Sequence, residues 1–252
     1  MQNINWDNIK FRASSWGNLL SEPVSKADKE AGKLSLTCQK ELIKIYNKLV
    51  YDWEEPDINT PAMRKGTDGQ SESILMYSKV EGEIFIENSE RIENEFFIGT
   101  PDLYLGDDIR NAKQIDDIKN SWSLKTFSHK IIEPLDNAYK YQLNVYFDLC
   151  NCEVGHIVHT LISMPQAQFK EECDKLLWRM ANKGEIATEY APEYLDAVEK
   201  LKKEHIYDHI PEKERVFKQK VVRDDELIEK MKLKVPKLRE WLADFHKKRK
   251  NL

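Results

Sequence analysis

The sequence predicts an α/β fold in which helices flank a central mixed sheet. Two kinds of segment support this prediction: short apolar runs of strand length, and longer segments whose apolar residues recur every three or four positions. The predicted strands are 83–87, 95–105, 113–121 and 155–163. The predicted helices ahead of residue 165 are a short one that begins after Ser14 or Ser15, and 33–51, 63–80 and 134–150. Because the chain has 252 residues, it can bury a substantial core.

We expect one domain over residues 1–252, with a core over about 11–165 and a helical extension over about 166–252. The extension is predicted because the sequence after Met164 becomes helical in character, in three pieces that cover 169–182, 191–204 and 224–248.

Composition describes an ordinary globular protein, with 40% hydrophobic and 33% charged residues. The net charge of −5 argues against a simple nucleic-acid-binding module, because phosphate binding is dominated by Lys and Arg. It does not exclude an enzyme whose acidic site lowers the total charge. No apolar run reaches the length of a membrane span, and the amino terminus lacks a signal-peptide pattern, so we expect a cytoplasmic protein with no membrane association.

Local basic patches are visible despite the negative total. Lys10 lies near Arg12, Arg64 precedes Lys65, and residues 246–250 form a basic tail. These patches are candidates for contacts with phosphate. The alternative for the tail is a solvated helix end, where cations also suit the helix dipole.

The first predicted helix begins in a polar cluster. Ser14 or Ser15 provides an N-cap, and Pro23 ends the helix. A helix start presents free backbone N–H groups, which together with Arg12 can hold a phosphate. The alternative is that Ser14 only caps the helix and that Arg12 is an ordinary surface residue.

The most informative stretch is a predicted hairpin. Residues 98–105 and 115–119 are short apolar runs on either side of a polar turn, which is typical of two paired strands. This arrangement places Asp102 on one strand and Asp117 on its neighbour.

Side chains alternate along a strand, so Asp117 and Lys119 share one face while Ile118 points to the core. Two carboxylates brought together in this way can bind Mg²⁺, which prefers oxygen ligands. A lysine beside them can hold or polarise the attacking water. Taken alone, however, an Asp-x-Lys triplet is more often a solvated strand end.

The helix predicted over 134–150 carries two polar groups on one face. Gln142 and Tyr146 are four residues apart, so they project together. An amide can donate to phosphate or water while accepting from Lys119, and a tyrosine can contact nucleic acid. Since a buried amide needs partners, Gln142 within an apolar stripe indicates a site residue.

These residues carry a family resemblance. Pro101-Asp102 followed by Asp117-x-Lys119 resembles the PD-(D/E)XK nuclease signature, and Gln142-x-x-x-Tyr146 resembles the Gln motif of the RecB-type and lambda-type exonuclease branch. Arg12-Ala13-Ser14-Ser15 is similar to the entry motif of the lambda-type (YqaJ-type) phage exonucleases. The resemblance covers about residues 11–163.

The resemblance implies a restriction-endonuclease-like sheet and a Mg²⁺-dependent deoxyribonuclease, with Mn²⁺ able to substitute. It implies that Asp102, Asp117, the carbonyl of Ile118 and Glu72 bind the metal, and that Lys119 orients or deprotonates the attacking water. Activity is then expected to be 5′-to-3′ exonuclease action on double-stranded DNA ends, in phage-type recombination or repair.

Glu72 is the choice for the acidic residue that the family supplies from a helix. The family spacing Gly-x-x-x-Glu is not reproduced, because Gly69 precedes Glu72 by three residues and Gly66 by six. Gln142 completes the expected catalytic set, and Arg12, Ser14, Ser15 and Tyr146 are the expected DNA-binding residues.

Some RecB-branch nucleases carry an iron–sulfur cluster, but none is expected here. The four cysteines, Cys38, Cys150, Cys152 and Cys173, lack the spacing of a cluster or a zinc site. The resemblance further implies a ring-shaped trimer and a single-strand annealing protein as partner.

Two alternatives stay open. An endonuclease of restriction or repair type would share the metal site without needing a DNA end. A non-catalytic relative would keep the fold and only bind DNA or protein, although the intact set of Asp102, Asp117, Lys119 and Gln142 argues against it.

Overall fold

The computed structural model describes residues 4–56, 60–184 and 188–251. Within these ranges eight strands form two sheets. The strands are β1 (Phe11–Arg12), β2 (Ile86–Glu87), β3 (Ile92–Glu93), β4 (Phe97–Gly99), β5 (Leu103–Leu105), β6 (Gln114–Asn120), β7 (Val154–Thr160) and β8 (Val216–Val222).

The larger sheet has the order β2-β5-β6-β7-β8 and is mixed. Only the β6–β7 pair is parallel, and the other three pairs are antiparallel. The smaller sheet has the order β1-β4-β3, with β1 parallel to β4 and β3 antiparallel to it. The predicted class, a mixed sheet flanked by helices, is confirmed.

Ten α-helices occur in the described ranges. They are α1 (Trp16–Leu19), α2 (Lys26–Glu30), α3 (Leu36–Tyr51), α4 (Pro61–Asp68), α5 (Gln70–Glu81), α6 (Leu124–Ile132), α7 (Asn137–Cys150), α8 (Gln166–Asn182), α9 (Pro192–His205) and α10 (Asp225–Lys250).

Strand β6 contacts a different helix on each face. Ile115 packs in the main core with Phe147 of α7, whereas Ile118 packs in a second core with Ile74 and Tyr77 of α5. Since side chains alternate along a strand, odd-numbered residues of β6 face α7 and even-numbered residues face α5. This alternation decides which acidic residue of β6 enters the site.

The predicted strand over 95–105 is wrong in one respect, because the structure divides it. β4 belongs to the smaller sheet and β5 to the larger one, with Thr100 and Pro101 between them. Pro101 has no N–H for a ladder, so the chain leaves one sheet there and enters the other.

The helix predicted over 63–80 is also divided, at Gly69. A Cβ atom at this position would lie 2.0 Å from Cδ1 of Ile162 and 2.9 Å from the carbonyl oxygen of Lys65. Only glycine permits this close approach, so α4 and α5 pack on the end of β7 as separate helices.

The prediction for the C-terminal third omitted a strand. β8 pairs antiparallel with β7 along its whole length and forms the edge of the larger sheet. Helix α10 continues through Pro236 and contributes buried residues to the main core, which are Ile228, Met231, Val235, Leu238 and Leu242. This segment therefore completes the core. Helix α6 was not predicted either, although Ser123 and Thr126 form a capping box at its start.

The predicted basic patch at Arg64 and Lys65 is wrong for Lys65. This side chain is 1% exposed, and its Nζ donates to the carbonyl oxygens of Ser121 (3.0 Å) and Trp122 (3.1 Å). It also lies 5.3 Å from the ring centroid of Tyr207. Lys65 thus fixes the segment that follows β6. No helix of the described ranges has the length and apolar character needed to cross a membrane.

Burial lowers the pKa of Lys65 to about 8. In the unfolded chain the pKa of this lysine is about 10.4. Between about pH 8 and pH 10.4 the unfolded state therefore binds more protons than the folded state, and the unfolding free energy rises with pH. We expect the unfolding free energy of the wild type, minus that of Lys65→Met, to increase from pH 8 to pH 10. Urea denaturation across this range measures it. Lys26→Met, at an exposed helix position, should show no such increase. If the unfolding free energies of the wild type and Lys65→Met changed in parallel between pH 8 and pH 10, the prediction would be contradicted.

Candidate active site

The sheet register brings Asp102 and Asp117 together. Leu103 pairs with Asp116 in the antiparallel β5–β6 ladder, so Asp102, directly before β5, lies across from Asp117. The backbone N–H of Ile118 donates to Oδ2 of Asp102 at 2.9 Å. Ile118 itself is 8% exposed and lies in the second core. The predicted geometry of the two strands is therefore observed.

Asp117 is the more deeply buried carboxylate, with 1% of its side chain exposed. Its Oδ1 accepts a hydrogen bond from Nε2 of Gln142 at 3.0 Å. Its Oδ2 forms an ion pair with Nζ of Lys119 at 2.6 Å and accepts no hydrogen bond from any other described residue. A buried anionic oxygen left in this state is suited to a cation.

The charges of the site are strongly coupled. Burial, reinforced by the neighbouring Asp117 carboxylate, raises the pKa of Asp102 to about 7. Burial acts to lower the pKa of Lys119, but the attraction of Asp117 and Asp102 outweighs it and the net shift is upward. Lys119 is thus held as a cation beside two carboxyl groups that repel each other.

Helix α7 supplies the remaining polar groups. Nε2 of Gln142 donates to Asp117 and also to the hydroxyl of Tyr146 at 3.0 Å, and that hydroxyl donates to the carbonyl oxygen of Thr100 at 3.2 Å. The expected acceptance from Lys119 is not seen, because the amide nitrogen faces the Asp117 carboxylate. Gly99 makes room for Tyr146, since a Cβ atom there would lie 2.6 Å from Cε1 of the ring.

A cavity of about 600 Å³ opens beside these groups. Its walls come from α4, the start of α5, the end of β6, α6 and α7, and its lining includes Met63, Gln70, Asp102, Ile118, Lys119, Trp122, Lys130, Tyr139 and His159.

Several of these lining residues were not predicted as parts of the site, among them Tyr139, Lys130 and His159. Tyr139 lies one helical turn before Gln142, and its ring centroid is 5.0 Å from Nζ of Lys119. Lys130 comes from the unpredicted helix α6. His159 pairs in register with Lys119 across the β6–β7 ladder. The helical spacing of Tyr139 and Gln142 was the available signal for the first of them.

Glu72 does not lie in this cavity. It is exposed on α5, whose buried face carries Ser73, Ile74 and Tyr77. Gln70 shares that face at helical spacing and lines the cavity, whereas Glu72 is two residues away and points elsewhere. Gln70 is also the residue four positions after Gly66, which is the spacing that the family resemblance requires.

A second, smaller cavity of about 160 Å³ adjoins Tyr146. It is lined by Arg12, Ser14, Arg91 and Thr100, together with Gly99 and nearby backbone. Arg91 follows the edge of the larger sheet in sequence and was not predicted.

Ser15 stands outside this second cavity. Ser15 is 8% exposed and occupies the N-cap position of α1, but its side chain makes no capping hydrogen bond. The predicted capping role is therefore wrong, because a short 3-10 turn over Ala13–Ser15 precedes α1.

The donor set fits a hard divalent cation. In the described ranges no three His, Cys, Asp or Glu side chains converge, so Asp102 and Asp117 are the only carboxylates at the site. Mg²⁺ commonly uses one or two carboxylates and completes its shell with water and substrate phosphate. The mutual repulsion of the two carboxyl groups, which the single Lys119 cation offsets only in part, is the feature that a bound cation would relieve.

The carboxyl pair should cost stability when no metal is bound. Because the folded-state pKa of Asp102 is about 7, the folded state carries a disfavoured charge above that pH. In a chelating buffer at pH 8 we expect Asp102→Asn to raise the unfolding free energy by about 1–3 kcal/mol, with Ile118 still bonded to the amide oxygen. The difference in unfolding free energy between Asp102→Asn and the wild type should decrease as the pH falls below 7. It should vanish near about pH 4, which is the pKa of an Asp in the unfolded chain.

Urea denaturation in EDTA measures this difference. Asp174→Asn, an exposed position on α8, serves as the control and should change stability little at either pH. A destabilised Asp102→Asn at pH 8 would contradict the prediction.

Comparison with solved structures identifies the fold. A phage-related exonuclease from Haemophilus somnus 129PT superposes with a TM-score of 0.68 at 25% identity, covering 96% of each chain. An alkaline exonuclease from Laribacter hongkongensis has a TM-score of 0.61 at 16% identity, covering 96% of this chain and 93% of its own, and its complex with dAMP gives 0.60 at 17% with the same coverage. No protein-family model matches the sequence, and no curated protein matches it either. The chain therefore has the fold of the phage-related and alkaline exonucleases, which confirms the resemblance that its motifs indicated.

Proposed function

We propose that this chain is a DNA exonuclease that uses a divalent metal, Mg²⁺ or in its place Mn²⁺, to remove nucleotides in the 5′-to-3′ direction from ends of double-stranded DNA. The observation that carries the proposal is the pair formed by half-buried Asp102 and buried Asp117, with Lys119 ion-paired to Oδ2 of Asp117. Likeness to solved exonucleases over nearly the whole chain supports the same reaction.

In this proposal Asp102, Asp117 and the carbonyl of Ile118 hold the metal. When bound, the ion supplies positive charge that offsets the charge developing on the phosphoryl group. Lys119, held charged by the carboxylates, donates to the attacking water or to a phosphate oxygen. Gln142 fixes the orientation of Asp117 by its hydrogen bond, and the Tyr139 ring confines the Lys119 side chain from one side.

The second cavity supports the proposed preference of the enzyme for DNA ends. Arg12 and Arg91 bring two cationic groups, and Ser14 adds a hydroxyl, around a space of about 160 Å³. Arginine is suited to phosphate because its planar fork donates two parallel hydrogen bonds. Tyr146 lines this space and is bonded to Gln142, so a terminal 5′ phosphate held there would lie beside the catalytic groups.

The family resemblance also supports proposals about assembly and context. We propose that the protein acts in the cytoplasm as a ring-shaped trimer, and that a single-strand annealing protein receives the strand it exposes. The ring and the annealing partner both suit an enzyme that stays on one duplex through many cleavages.

Removing Lys119 should impair chemistry far more than DNA binding. For Lys119→Met we expect the rate of nucleotide release from an end-labelled linear duplex with Mg²⁺ to fall about 10²–10³-fold. The reason is that a positively charged hydrogen-bond donor to the reacting groups is lost. Binding of the same duplex, measured by fluorescence anisotropy in Ca²⁺, should change little. Lys44→Met, an exposed position on α3, is the control and should keep the wild-type rate.

The same assay tests the assignment as a whole. Asp117→Ala should abolish release, and an Asp117→Ala variant that cleaves at the wild-type rate would end the metal-site proposal. Incubation with closed circular DNA separates the alternatives, because an endonuclease would linearise the circle and an exonuclease would leave it intact.

Arg91 should matter only when the end carries a phosphate. We expect Arg91→Ala to lower the preference for 5′-phosphorylated over 5′-hydroxyl duplex about tenfold, the loss typical of a hydrogen bond to a charged group. Competition between the two labelled duplexes in one reaction measures this preference. Arg179→Ala, exposed on α8, is the matched control. An unchanged preference in Arg91→Ala would remove Arg91 from the proposed phosphate site.

A further inference from the structure

The amide of Gln70 is a polar group of the cavity that the proposed mechanism does not use. Gln70 is the first residue of α5 and lines the same cavity as Asp102, Ile118 and Lys119. Its side chain makes no hydrogen bond to another described residue. A partly buried amide that faces a charged site without a partner is available to a ligand.

The backbone around Gln70 is held firmly against the catalytic strand. Asn120, at the end of β6, donates through Nδ2 to the carbonyl oxygen of Gly66 at 3.1 Å, and its Oδ1 accepts from Oγ of Ser73. These two contacts lie on either side of Gln70 in the sequence. Thr160 of β7 also donates to Oδ1 of Asn120, so α4, α5 and both central strands meet at one amide.

This arrangement leaves the site short of negative charge. Asp102 lines the cavity with Gln70, and Asp117 lies buried behind it, while the third acidic candidate from the helix, Glu72, is exposed on a different face of α5. Lys119 further reduces the charge. An amide oxygen is a hard ligand that a divalent cation accepts, but it adds no charge, and affinity for such cations depends on the number of charged ligands.

We propose that the side-chain carbonyl of Gln70 is the third side-chain ligand of the metal, and that this neutral ligand sets the affinity of the site below what a carboxylate at the same place would give. The inference rests on the proposed function, because it takes the Asp102 and Asp117 site as the metal site. It assigns to this chain a site with two charged ligands and one neutral ligand.

Binding of Mn²⁺ to the DNA-free protein, followed by isothermal titration calorimetry, tests the inference without relying on activity. We expect Gln70→Glu to tighten Mn²⁺ binding about tenfold or more, since it adds a charged ligand, and Gln70→Ala to weaken it about three- to tenfold. Gln166→Glu is the charge-matched control, because it places the same change at the exposed first residue of α8. Its affinity should equal that of the wild type.

Asp117→Asn distinguishes failure of the Gln70 inference from failure of the proposed metal site. If the wild type binds Mn²⁺, Asp117→Asn does not, and both Gln70 variants bind like the wild type, the Gln70 inference is overturned while the metal site stands. If the wild type binds no Mn²⁺ at millimolar concentration, or Asp117→Asn binds it unchanged, the proposed site and the Gln70 inference both fail. Should Gln70→Glu fold poorly, Gln70→Ala still decides the question, because unchanged affinity in that variant overturns the inference.

Discussion

The structure depends on one unfavourable arrangement, two carboxyl groups held side by side in a largely buried wall. Burial disfavours the ionised form of Asp102, and the neighbouring Asp117 carboxylate adds repulsion. The fold tolerates this cost because Lys119 lies beside Asp117, the N–H of Ile118 bonds to Asp102, and Gln142 bonds to Asp117. Oδ2 of Asp117 has the Lys119 ammonium as its sole partner among the described residues, and the proposed metal ion would relieve the repulsion that remains between the two carboxyl groups.

The neighbouring residue in β6 shows the opposite outcome. Asp116 is fully buried, but it accepts from Tyr77, from Gln114, and from both the backbone and the ring of His156. Its charge is satisfied within the protein, so it serves the fold. Two adjacent aspartates in one strand therefore differ in role because they face different helices, and the pleat of the strand separates them.

Helix α7 contributes side chains to both cavities, Tyr139 to the larger one and Tyr146 to the smaller one. Gln142 faces the carboxylates, and Tyr146, one turn later, bonds to Gln142 while it lines the cavity with Arg12 and Arg91. The hydroxyl of Tyr146 also bonds to the backbone at Thr100, where the chain crosses from the smaller sheet to the larger one. Two hydrogen bonds of Gln142, to Asp117 and to Tyr146, thus connect the carboxylates with the lining of the second cavity.

The sequence by itself determined the elements whose signals are local. Strand alternation placed Asp117 and Lys119 on one face, helical spacing paired Gln142 with Tyr146, and the turn between two apolar runs placed Asp102 and Asp117 on neighbouring strands. Tertiary structure alone decided that α5 presents Gln70 to the cavity, because the direction of a helix face depends on what it packs against. It also decided that Lys65 is buried and that β8 completes the sheet, since carbonyl partners and an edge of β7 are supplied by segments distant in the chain.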